Sequence, residues 1–216
     1  MNLQGLDAII FDFDGVLVES VDIKTQAFAA LYADHGEKVV AQVEDYHLRH
    51  GGQSRFEKFR YFQTEIVGGP PLEDSDVADL ASRFSRLVID RVVSAPMVRG
   101  AQEFLDQCRS RMPLFIVSGT PTSELGDILE RRNLRQHFRD FKGSPGTKAE
   151  HVRELLREYE IDAGRCVVFG DAMADYGGAV ANDVKFLGRV AENDENRFPG
   201  DVTTFVDFLH LPERWF

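Results

Sequence analysis

The chain has 216 residues, 43% of them hydrophobic and 28% charged, with a formal net charge of −11. That is enough for one generous core, or for a core carrying a smaller insert. No apolar run approaches the ~20 residues needed to cross a bilayer, Met1 to Gly5 carries no basic leader, and the acidic balance is the wrong sign for nucleic acid. The expectation is a cytoplasmic protein with neither membrane nor nucleic-acid partner. Cys108 and Cys166 sit in apolar-rich segments without metal-ligand spacing, and read as buried free thiols of a reducing compartment.

In chain order, residues 6–13 form an apolar, aromatic-rich run that stops at acidic residues. It shows little alternation, which suits a parallel strand covered on both faces. No strand-like run follows until after residue 100. Helical patterns fill the gap: Phe28, Leu31 and Tyr32, ending at Gly36; then Phe56, Phe59, Phe62 and Ile66 behind Ser54 and Glu57; then Val77, Leu80, Ala81, Phe84, Leu87 and Val88. Gly68-Gly69-Pro70-Pro71 separates the last two. Residues 19–93 are therefore expected to be an all-helical insert, hinged near 15–19 and 93–96.

Beyond the insert, helix and strand alternate. A stripe of Ala101, Phe104, Leu105 and Cys108 precedes a strand at 114–117. A stripe of Leu125, Ile128 and Leu129 follows it. A helix from Lys148, with a Thr147/Glu150 capping box, precedes strands at 166–169 and 184–187, and a weaker one falls near 203–206. The pattern is α/β, a Rossmann-like parallel-sheet core of residues 1–18 and 94–216.

In such sheets ligands bind beyond the carboxyl ends of the strands. Those ends carry Asp12 and Asp14, Ser118-Gly119-Thr120, and Gly170-Asp171, with Asp175 one helical turn further on. Lys148 opens a helix on the same side, its charge added to a positive helix end. Clustered carboxylates require a cation, and an all-oxygen set favours Mg²⁺. A carboxylate in this setting can attack phosphorus and form an aspartyl-phosphate, with Asp14 as acid and base. Ser118 and the backbone of Gly119 would hold phosphoryl oxygens, and Lys148 would neutralise their charge.

Phe11-Asp12-Phe13-Asp14-Gly15-Val16-Leu17, Ser118-Gly119-Thr120, Ser144-Pro145-Gly146-Thr147-Lys148, and Gly170-Asp171 with Asp175 together resemble the haloacid dehalogenase superfamily. The resemblance spans nearly the whole chain. The insert resembles the helical caps of the β-phosphoglucomutase and phosphoglycolate phosphatase branch. It implies Asp12 as nucleophile, Asp14 as acid and base, Ser118 and Lys148 as phosphate holders, and Mg²⁺ on Asp12, the Asp14 carbonyl and Asp171. Asp175 is a further metal candidate, directly or behind the ligands. The presence of Asp14 argues against a dehalogenase or phosphonate hydrolase. Two residues depart from the common pattern: Ala172 where many relatives have Ser, and Ala149 where Pro is common after the lysine.

The expected activity is a phosphatase acting on a small phosphorylated metabolite. The alternatives are a phosphomutase, which shares the core residues, and a phospho-accepting signalling domain, against which the large insert counts. Within the segment 47–55, Arg49 and Arg55 are candidate clamps for a carboxylate or second phosphate; otherwise they are solvated charges beside a Gly51-Gly52 turn. His47 and His50 lack a third ligand and are not expected to bind zinc. The Phe56, Phe59 and Phe62 stripe reads as insert core.

Overall fold

A computed structural model describes residues 5–192 and 194–211. The first apolar run yields strand β1 (Ala8–Phe11), wholly buried. Its side chains alternate between two hydrophobic clusters: Ile9 and Phe11 in one, Ala8 and Ile10 in the other. A strand covered on both faces needs no polar alternation, which is why this one is apolar throughout.

Four helices follow: α1 (Val21–Leu31), α2 (Glu37–Arg49), α3 (Arg55–Tyr61), which runs on into a wider turn of helix over Phe62–Val67, and α4 (Asp74–Ser94). Their common core is aromatic. Phe28 packs on Phe84, Phe62 and Phe59 at ring-centroid distances of 4.3, 5.5 and 5.6 Å. Phe59 and Phe62 are fully buried as expected, while Phe56 is only partly so. Helix α2 has no counterpart among the helical patterns read from sequence. Only Val43, Tyr46 and His47 of its thirteen residues are buried, too few for a visible stripe.

The chain then alternates as α5 (Ala101–Cys108), β2 (Leu114–Pro121), α6 (Thr122–Arg131), β3 (Asp140–Ser144), α7 (Lys148–Glu158), β4 (Cys166–Gly170), α8 (Met173–Val180), β5 (Lys185–Arg189) and β6 (Thr204–Phe205). The strands form one parallel sheet in the order β3-β2-β1-β4-β5-β6. Strand β1 is therefore central, with Ile9 opposite Leu114 and Phe11 opposite Phe169. Two strands run further than expected: β2 takes in Ser118 to Pro121, and β5 ends at Arg189 rather than at 187. The capping box of α7 is present, with Thr147 and Glu150 each bonded to the other's backbone N–H. Cys108 and Cys166 are buried free thiols.

The two connections between core and insert run side by side. The Glu19 N–H donates to the Pro96 carbonyl at 3.0 Å, and the Val98 N–H to that of Leu17 at 3.0 Å. An arginine of the core holds each of them. Arg132 donates to the carbonyls of Val92, Val93 and Ala95 at the end of α4. Arg189 donates to the Gly15 carbonyl and pairs with Glu19. Among the described residues, no helix is long and apolar enough to cross a membrane.

Candidate active site

The carboxyl end of β1 delivers Asp12 to the middle of the sheet edge. One of its carboxylate oxygens accepts from the Phe13 N–H at 2.7 Å and from Lys148 Nζ at 2.8 Å. Lys148 also reaches Asp175 at 2.6 Å and the Val117 carbonyl at 2.6 Å. The lysine thus ties β1, β2 and α8 together. Burial alone would lower its pKa, but Asp12 and Asp175 outweigh that and raise it, so it stays a cation. Burial, with the Asp175 charge added, pushes Asp12 up to about 7, against the pull of Lys148.

Asp171, at the end of β4, has no hydrogen-bond or ion-pair partner among the described residues. Burial and the charges of Asp12 and Asp175 raise its pKa well above the usual range. Carboxylate oxygens of Asp12, Asp171 and Asp175 lie within 4.8 Å of one another. A set of hard oxygen donors with one carboxylate left uncompensated fits a hard divalent cation. The turn after β1 makes room for this: Gly15 has φ of +73°, and a Cβ there would stand 2.1 Å from Asp171 Oδ2. Asp175 has a second duty, since its other oxygen accepts from the Ala172 N–H that opens α8.

Asp14 points elsewhere. Its carboxylate accepts from Ser20 Oγ at 2.6 Å, Thr120 Oγ1 at 3.0 Å and Lys24 Nζ of helix α1. Burial would raise its pKa, but Lys24, Ser20 and Thr120 together lower it. Lys24 also donates to Thr120 at 2.7 Å, so one cluster joins the insert to the core. Ser118 lies behind it, accepting from the Thr120 N–H at 3.1 Å, with its hydroxyl 3.5 Å from Asp14.

A cavity of about 400 Å³ opens in front of these groups, within the usual size of a small-molecule site. Asp12, Asp14, Gly119, Thr120 and Asp171 form its floor, and His47, Gly51, Gly52, Arg55 and Lys58 of the insert form its roof. Ser118, Lys148 and Asp175 stand one layer behind, only 2–8% exposed. The roof is pressed onto the floor: a Cβ on Gly51 would lie 2.9 Å from that of Ala172. Here the small residue noted in sequence receives the insert loop.

The two arginines read from sequence part company. Arg49 lies at the cavity rim, exposed, and pairs with Asp45 one turn back on α2. Arg55 is buried, and both its terminal nitrogens meet Glu124 of α6 at 2.8 and 2.5 Å, with Ser85 on one of them. It bolts insert to core. Sequence reasoning missed Lys24 and Lys58 and gave Thr120 no role of its own, because each is positioned by a partner on another element. His47, weighed there only against zinc, pairs with Lys58.

A six-stranded parallel sheet with a helical insert after its first strand, and acids gathered at the strand ends, points to a hydrolase with a Rossmann-like core. A family model described as haloacid dehalogenase-like hydrolase matches residues 6–183. The chain is 30% identical over 200 residues to Protein CbbY of Rhodobacter capsulatus, with 84% of each chain covered. It is similar in fold to CbbY from Rhodobacter sphaeroides solved with xylulose-(1,5)bisphosphate (TM-score 0.74, 16% identity, 93% of each chain covered). It is also similar to the putative HAD-hydrolase YfnB from Bacillus subtilis bound to magnesium (TM-score 0.69, 16% identity, 94% and 96% covered). The chain belongs to the haloacid dehalogenase-like hydrolase family and is an enzyme of that family.

Proposed function

We propose that the protein is a magnesium-dependent phosphatase of small phosphorylated metabolites, working through an aspartyl-phosphate on Asp12. The observation that carries this is the state of Asp12: a carboxylate at the cavity floor, with Lys148 behind it and the uncompensated Asp171 beside it. Asp12, Asp171 and the Asp14 carbonyl would hold Mg²⁺, with Asp175 positioned through Lys148. When bound, the ion supplies charge neutralisation for the phosphoryl oxygens.

The remaining work falls to the chain's own residues. Asp12 attacks phosphorus, and the bond to the leaving oxygen breaks, which splits one difficult step into two. Asp14 delivers a proton to that oxygen and then takes one from the water that cleaves the acyl-phosphate. Before substrate binds, Lys24 holds Asp14 ionised, so the acid step requires Asp14 to take up a proton once the substrate is bound. Lys148 keeps Asp12 oriented, Gly119 borders the phosphoryl position with Ser118 one layer behind it, and the insert excludes water. Arg49 at the rim and Arg55 in the roof contribute to the choice of ester through the roof's shape.

The phosphomutase alternative shares every core residue. A screen of phosphorylated metabolites with and without Mg²⁺ tests the reading, following free phosphate and isomerised sugar phosphate separately. Phosphate release that requires Mg²⁺ is expected. Isomerisation without release would replace a phosphatase by a mutase, and metal-independent release would remove the magnesium role.

A further inference from the structure

The roof of the cavity contains a buried lysine that has no ion-pair partner among the described residues. Lys58, on α3, is 2% exposed. Its Nζ lies 2.8 Å from His47 Nδ1 and 3.5 Å from the His47 carbonyl, and it stands over the Phe28 ring at 5.8 Å from the centroid. No carboxylate among the described residues lies within ion-pair distance of it. The other buried cations of the same cavity are matched: Lys24 by Asp14, Arg55 by Glu124 and Arg189 by Glu19. An unpaired buried charge is costly, and an anionic occupant would offset that cost.

His47 adds a second, independent sign. An ammonium can only donate, so His47 Nδ1 accepts, and the neutral ring then carries its proton on Nε2. That Nε2 is buried without a hydrogen-bond partner. Both residues line the cavity. The roof therefore presents a buried ammonium without an anionic partner and, beside it, a buried N–H without an acceptor. On the floor, the phosphoryl group is served by other residues.

We propose that Lys58 and His47 form the recognition site for a second anionic group on the substrate, a carboxylate or a second phosphate. The proposal rests on the phosphatase reading and narrows it to phosphate esters carrying two anionic ends. It also moves the clamp expected at Arg49 and Arg55 to a residue that no carboxylate occupies.

Three phosphate monoesters of matched length test it, ending in a carboxylate, a second phosphate or a methyl group. Wild-type kcat/KM is expected to be at least about tenfold higher for one of the two doubly anionic esters than for the methyl ester, the scale of one charge-assisted hydrogen bond. Which of the two gains more identifies the anion. Lys58→Met, which keeps the bulk of the stem, is expected to bring that ratio close to one. Equal wild-type efficiency on all three esters would overturn the proposal without any variant, and so would a Lys58→Met loss of the same factor on all three, as a purely structural role predicts. Thermal shifts of the Asp12→Asn protein with the same compounds should show the same order; failure to do so also overturns it, whether or not any ester is cleaved. Phosphate release without discrimination defeats this proposal alone. No release from any phosphorylated metabolite defeats the phosphatase reading.

Discussion

The floor and roof of the cavity each hold a buried lysine, in opposite electrostatic states. Lys148 on the floor is flanked by Asp12 and Asp175, and its pKa rises in spite of burial. Lys58 in the roof has a neutral imidazole for company, and burial, with the Lys24 charge added, pushes it down to about 7. Around Lys148 the floor is paired before substrate arrives, as the chemistry common to all esters requires. The roof is incomplete, which is what selection among esters requires.

The largest expected effect breaks the floor. Asp12→Asn should reduce phosphate release by about 10⁴-fold or more, the scale on which removing a nucleophile acts. The fold should be retained, because an amide fits the same place at the end of β1. Near-normal turnover, measured after removing wild-type carry-over, would end the nucleophile assignment.

Next comes Lys148→Met. It leaves Asp12 and Asp175 buried without their cation, and breaking a buried pair costs about 3–5 kcal/mol. For a chain of this size that is a fall in Tm of roughly 2–4 °C per kcal/mol. Mg²⁺ should recover part of the loss. If Lys148→Met and Lys58→Met prove equally destabilising, the contrast between floor and roof is wrong.

The floor was far more legible in the sequence than the roof. Asp12, Asp14 and Asp171 stand just beyond the ends of apolar strands, and Ser118 directly follows the apolar run of β2, where the chain order itself brings them to one edge. Strand β3 escaped notice because Asp140–Ser144 is a half-exposed edge strand with little apolar content. Lys58 and His47 lie on two different insert helices, and Lys24 meets Thr120 across 96 positions. Neither pairing follows a helical or strand period; each depends on how the helices pack.

A third effect concerns the seam where roof meets floor. Gly51→Ala places a methyl group 2.9 Å from the Ala172 Cβ, closer than two carbons pack, so the loop must lift. Misplacement of this order can cost up to about 10²-fold; a tenfold fall in kcat/KM is expected, with little change in Tm. Ala172→Gly in the same protein should restore most of it. No rescue would mean that the loop acts through some contact other than this one.

The smallest effect reads the roof directly, through the pH dependence of stability. Well below pH 7 the Lys58 amine is protonated in folded and unfolded chains alike, and the fold bears the full cost of an unpaired buried cation. Between its folded value of about 7 and its ordinary 10.5, the unfolded chain binds a proton that the folded one does not. Stability from this group therefore rises with pH across that window. Lys58→Met has no such group. Its Tm relative to wild type should be highest near pH 7 and fall steadily toward about pH 9.5. Loss of the His47 contact adds an offset, but burial pushes His47 down to about 2 and the ring is neutral throughout this range, so the offset does not change the slope. A difference in Tm that stays flat with pH would mean that Lys58 keeps an ordinary pKa in the fold. The roof would then be compensated like the floor, and the cavity would have no reason to prefer a second anion.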